Sequence, residues 1–178
     1  MIESCYYKED LLKFANDFKR REDKQLWREN SLAKAEKQFF VGALFVRKLL
    51  ESVKITDACK KTSYIIHRGK FEPKQKINDF LRPKVMDYIE SAEWKAEKVA
   101  VIQICDKVIH SYVNYPCENK DGGLDGFILT TDKLRNKEIW KVPVSTLVSM
   151  FNRFGNDYPT GVEMKRNRSG DITYFRSE

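Results

Sequence analysis

Residues 96–113 read Ala96-Glu97-Lys98-Val99-Ala100-Val101-Ile102-Gln103-Ile104-Cys105-Asp106-Lys107-Val108-Ile109-His110-Ser111-Tyr112-Val113. Val101, Cys105, Val108, Ile109 and Tyr112 share one side at helical spacing, and Asn114-Tyr115-Pro116 closes the stretch, so the pattern predicts a helix. That reading decides the fold class, because every long periodic segment upstream is helical too. Tyr7, Leu11, Phe14 and Phe18 make a stripe from Ser4 to about Arg21. A second stripe, Leu32, Phe39, Ala43, Val46, Leu50 and Val53, predicts a helix from about Leu26 to Val53. Gly42 inside it costs about 1 kcal/mol relative to Ala, which points to a close helix neighbour there. Lys54 to Pro83 reads as irregular, punctuated by Gly69, Pro73 and Pro83, and another helical stretch (Val85, Met86, Tyr88, Ile89) follows.

Downstream the pattern changes. Asp121-Gly122-Gly123-Leu124-Asp125-Gly126 is a loop, and Phe127–Thr131 and Ile139–Pro143 around a polar turn read as a β-hairpin. Ser145 is the expected cap of a short helix ending at Gly155. Val162–Arg166 and Ile172–Phe175 around Asn167-Arg168-Ser169-Gly170 make a second hairpin. The fold expected is α+β: a mainly helical bundle over residues 1–113, with a β-hairpin and short-helix subdomain over 114–178 packed on it.

Composition limits the function classes. With 178 residues, 42% hydrophobic and 12% aromatic, the chain is long and apolar enough for a real core. No apolar run reaches membrane-span length, and Met1-Ile2-Glu3-Ser4-Cys5 is not a signal peptide, so the expected location is cytoplasmic with no membrane partner. Cys5, Cys59, Cys105 and Cys117 are scattered, and there are only two histidines. A zinc site is therefore not expected, and no metal or cofactor is predicted.

The net charge of +7 is local. Lys60, Lys61, Arg68, Lys70, Lys74, Lys76, Arg82 and Lys84 face only Glu72 and Asp79 across 60–84, with Tyr64, His67, Phe71 and Phe80 interleaved. Cations release counterions from a phosphate backbone and aromatic faces stack on unpaired bases, so this stretch is a candidate RNA-binding surface. A solvated basic connector anchored by its aromatics is the other reading of the same residues. Lys133, Arg135, Lys137 and Lys141 add cations to the C-terminal strands, where nearby acids nearly balance them.

Candidate chemistry lies in residues 103–112. On a helix, Gln103, Asp106 and His110 would share the face opposite the apolar stripe. Asp106, one turn before His110, could hold the imidazole and fix its tautomer, and an oriented imidazole is a general acid or base near neutral pH. A helix-surface histidine with a local hydrogen bond fits the same spacing. Arg47 and Glu51 are spaced for a flank salt bridge.

The Cys105-x4-His110-Ser111-Tyr112 pattern resembles the Arg-x4-His-x-Tyr element late in the helical bundle of HEPN-type domains. That superfamily contains many ribonucleases and ribonuclease-derived RNA-binding proteins. The resemblance implies a metal-independent endoribonuclease with His110 as general base, Asp106 orienting it and Tyr112 positioning the phosphate. It also implies a homodimer, since such sites are commonly assembled between protomers. The family's arginine is Cys105 here, so the phosphate-steadying cation is missing or comes from Arg47, Arg68 or a second protomer. That departure favours RNA binding over cleavage. The rival class is a non-catalytic interaction or regulatory module of a mobile element or defence system, whose basic stretch docks an acidic protein partner. No nucleophile elbow, phosphate loop or metalloprotease motif supports another enzyme class.

Overall fold

The computed structural model describes residues 3–23, 29–70 and 92–178, with the backbone alone for 172–175. Helix α1 (Cys5–Glu22) buries Leu11, Ala15 and Phe18, and α2 (Glu29–Leu50) buries Phe39, Gly42, Ala43, Val46 and Leu49. Both follow the 3.6-residue stripes of the sequence, and both end on cations (Lys19, Arg20 and Arg21; Arg47 and Lys48) that favour a helix C-terminus. A single turn, α3 (Asp57–Lys60), is capped by Thr56, whose side chain accepts from Cys59 N at 3.1 Å. Then follow β1 (Ser63–Lys70), β2 (Glu93–Ala100), α4 (Val101–Ile109), β3 (Ser111–Glu118), β4 (Leu124–Thr131), β5 (Glu138–Pro143), α5 (Val144–Gly155), β6 (Val162–Arg166) and β7 (Ile172–Ser177).

Strands β1 to β5 form one antiparallel sheet in the order β2-β1-β5-β4-β3, and β6 and β7 make a separate ribbon. Alternation along the strands sends residues to two faces. Ile66, Val99, Phe127, Leu129, Trp140 and Val142 join the helices in the main core, while Val113, Ile128 and Ile139 form a small cluster on the opposite face. The molecule is thus a helical layer on one face of a sheet. Aromatic contacts bind the layers: Phe127 stacks on Phe39 at 4.3 Å and meets Phe18 edge-on at 5.8 Å. Each such fully buried ring contributes roughly 2–3 kcal/mol through burial. The close neighbour expected at Gly42 is α5: a Cβ on Gly42 would lie 2.3 Å from Cζ of Phe151.

This architecture corrects the expected helical bundle. Two strands, β1 and β2, lie within the N-terminal two thirds, and β3 runs straight through residue 113. Residues 96–113 are not one helix but the end of an edge strand, a nine-residue helix and the start of the opposite edge strand. In β2 the residues Glu93, Lys95, Ala96, Glu97 and Lys98 carry helical preference and charge, which suits an edge strand, and Val99 alone is buried. Eight paired positions against β1, from Ser63↔Ala100 to Lys70↔Glu93, override that preference. Pro116 fits β3 because β3 is an edge. The β4–β5 hairpin, the helix up to Gly155 and the terminal hairpin fall where the sequence placed them, except that β4 begins at Leu124, inside the expected loop, and that Pro143 rather than Ser145 is the α5 cap residue. The helical stretch expected after Pro83 lies outside the described residues.

Two polar features hold the ends of the core. The Gly-rich loop docks on the α1 C-terminus, where Asn119 Nδ2 donates to Glu22 O at 3.1 Å and Gly123 leaves no room for a Cβ. Lys8 is almost fully buried, and its Nζ donates to Lys54 O (2.7 Å) and Asp157 O (2.6 Å) under the ring of Tyr158. The Asp157 carboxylate in turn accepts from Thr56 N and Oγ1. Among the described residues no helix is long and apolar enough to cross a membrane.

Candidate functional site

Helix α4 ends at Ile109, and His110 is its exposed C-cap, with its N–H on Asp106 O at 3.0 Å. The chain turns directly into β3, and the pairing Ser111↔Thr131 lays that start beside the β4–β5 connection. That connection is two tight turns, with Leu134 N on Thr131 O (3.0 Å) and Lys137 N on Leu134 O (2.8 Å). Asp106, Lys107, His110 and Tyr112 therefore share one open cleft, of about 600 Å³, with Asp132 and Lys133. All three residues singled out for chemistry lie on it. They do not share a helix face, because Asp106 is on the helix, His110 is its cap and Tyr112 belongs to a strand.

The carboxylate of Asp106 is engaged elsewhere. Arg47, on α2, places Nε 3.3 Å from it and Nη2 3.3 Å from Glu51, so the expected flank salt bridge exists and extends to α4. Among the described residues no hydrogen bond joins the Asp106 carboxylate to the His110 ring, so the orientation expected of that pair is not made. Cys105, at the position of the family's arginine, is fully buried, and desolvation pushes its thiol up to about 12. It neither supplies a cation nor faces the cleft.

Cations and aromatic rings do meet here. The Arg135 guanidinium lies 4.6 Å from the Tyr112 ring centroid and 3.3 Å from Asp132. Lys107 Nζ is 5.4 Å from the Trp140 centroid, and Arg68 approaches the same indole at 5.2 Å. A second cleft of about 410 Å³ shares Ser111 and Tyr112 and is bounded by Lys37, Phe40 and Asn114. Tyr112 thus stands on the ridge between two clefts.

The basic stretch is dispersed where it is described. Lys60 pairs with Asp57 at 3.6 Å and Lys61 follows as the cap of α3, while Lys70 is at the far end of β1. The eight residues of β1 lie between Lys61 and the strand's far end at Lys70, roughly 23 Å of strand. Arg68 is held between Glu97 (3.2 Å) and Glu138 (3.4 Å), whose carboxylate also accepts from Trp140 Nε1. Tyr64 packs against the main core, and burial raises its hydroxyl pKa. Lys74, Lys76, Arg82 and Lys84 lie outside the described residues.

Lys107, Lys133 and Arg135 were not among the expected site residues. Lys107 stands beside Asp106 on α4, whereas the signal of Lys133 and Arg135 in the sequence was charge in a polar turn, and only the Ser111↔Thr131 pairing joins that turn to His110. Among the described residues no three His, Cys, Asp or Glu side chains gather as a metal site would require. Neither a protein-family model, nor a curated protein, nor a solved structure matches the chain.

Proposed function

We propose that the chain binds single-stranded nucleic acid, RNA in the first instance, in the cleft at the end of α4, and holds it without cutting it. The observation that carries this reading is the meeting of Lys107 and Lys133 with His110 and the Tyr112 ring around one open cleft, with Arg135 against that ring. Cations there attract the phosphate backbone, and a partly buried ring between two clefts offers its open edge to an unpaired base. Binding without cleavage follows from Arg47, which occupies the carboxylate that would orient His110. Labelled single-stranded RNA incubated in EDTA with the wild-type chain and His110→Ala should run as a salt-sensitive complex of intact RNA for both. RNA cut by the wild type and spared by the variant would replace binding with metal-independent catalysis. A second reading, protein docking, is favoured by Phe40 and Leu44, one turn apart on α2 and 39% and 37% exposed. It would gain if the chain bound no RNA at any salt concentration.

A further inference from the structure

The β6–β7 ribbon is unlike the rest of the molecule. Every residue of β6 and of the turn through Asp171 is exposed, including Val162 and Met164 at about half of their surface. A Cβ placed on Gly161 or Gly170 would find nothing within 4 Å. The ribbon is secured at its base, where Thr160 N and Gly161 N donate to Glu178 O, Glu178 N donates to Gly161 O, and Ser177 Oγ reaches Val53 O. Beyond that it stands off as an arm.

Its charge is graded along its length. Near the base, Glu163 is opposite Arg176, which pairs with Glu178, so two acids there outnumber one cation. Toward the tip, Arg166 and Arg168 stand with a single acid, Asp171. Asp171 is folded into the turn, its carboxylate accepting from Ser169 Oγ at 2.8 Å and Asn167 Nδ2 at 3.2 Å while its N–H donates to Asn167 Oδ1. Arg166 and Arg168 have no ion-pair partner among the described residues. The tip is therefore a shaped turn with outward cations.

A two-stranded ribbon is about 5 Å across between strand axes, narrow enough to enter a B-form major groove roughly 12 Å wide. A-form RNA has a deep, narrow major groove that excludes such an element. We propose that β6–β7 is a groove-binding arm for duplex DNA, with Arg166 and Arg168 on the phosphates that flank the groove. The ribbon is rooted by Val53, just past the α2 helix whose Arg47 braces Asp106 of the cleft. The arm's own binding does not depend on the function proposed for the cleft.

The test is a fluorescence-anisotropy titration of the full chain with a short DNA duplex, an RNA duplex and a single strand, comparing wild type with Arg166→Gln/Arg168→Gln. Both sites are exposed, so the thermal melt should not move. The expected result is DNA-duplex binding by the wild type that exceeds RNA-duplex binding. The variant should bind the DNA duplex about ten-fold or more weakly, with a salt slope shallower by about two, and the single strand as the wild type does. A wild type that ignores the DNA duplex, or a variant that binds it unchanged, overturns the arm. Loss of single-strand binding alone would instead strike the cleft.

Discussion

At the residue scale, buried ionisable side chains set the response to pH. Burial raises the Cys59 and Cys105 thiols to about 12 and Cys117 to about 11, against 9.0 for a free thiol. Below about pH 9 both native and unfolded chains keep these protons; above it the unfolded chain loses them first, so stability falls as pH rises toward 11–12. Each thiol contributes about 1.4 kcal/mol per pH unit in that window. Lys8 acts oppositely: desolvation lowers its pKa below 10.5, so its own term improves stability as pH climbs to that value. Three thiols outweigh one amine. Urea denaturation across this range should show declining stability, with the slope flattened by about a third to a half in Cys105→Ala; a flat profile would mean the thiols are hydrated. Lys8→Met removes the donor to two carbonyls and should cost roughly 2–4 kcal/mol. Denaturation at neutral pH measures it, and a change below about 1 kcal/mol would show that water replaces the amine.

At the element scale, close approach decides more than propensity. Gly42→Ala improves helix propensity by about 1 kcal/mol. It also puts a methyl 2.3 Å from the Phe151 ring, inside a core where both elements are fixed. The net effect expected is destabilisation of about 1–3 kcal/mol in urea denaturation, and a stabilised variant would show that α2 and α5 can separate. The same contest explains which elements were legible. The stripes of α1 and α2 are long, regular and buried on one side, so their period is visible, and the Phe127–Thr131 and Ile139–Pro143 runs stand out as short apolar strands buried on both faces of the sheet. The segment Glu93–Ala100 carries no such signal: alternating charges at a sheet edge look like a solvated helix, and its strand character comes from pairing with β1. His110 marks the real end of a helix that the apolar residues of β3 seem, in one dimension, to prolong.

At the scale of the whole molecule, the sheet order is what makes a site. Asp106, His110 and Tyr112 could be chosen from local sequence, and they fall on one cleft. Lys133 and Arg135 could not, because β3 meets the β4–β5 turn only through a strand pairing that composition does not encode. Arg68 and Lys70 are separated from Lys60 and Lys61 by the length of β1, so closeness in sequence gave no common surface to those four. The central claim is that the cleft cations hold a nucleic-acid strand, and salt titration of single-stranded RNA binding by the wild type and Lys107→Ala/Lys133→Ala tests it most directly. The account predicts a roughly ten-fold loss of affinity in the variant and a salt slope shallower by about 1.4, the release from two phosphates of a single strand. Equal affinities and equal slopes, with the fold intact, would contradict it.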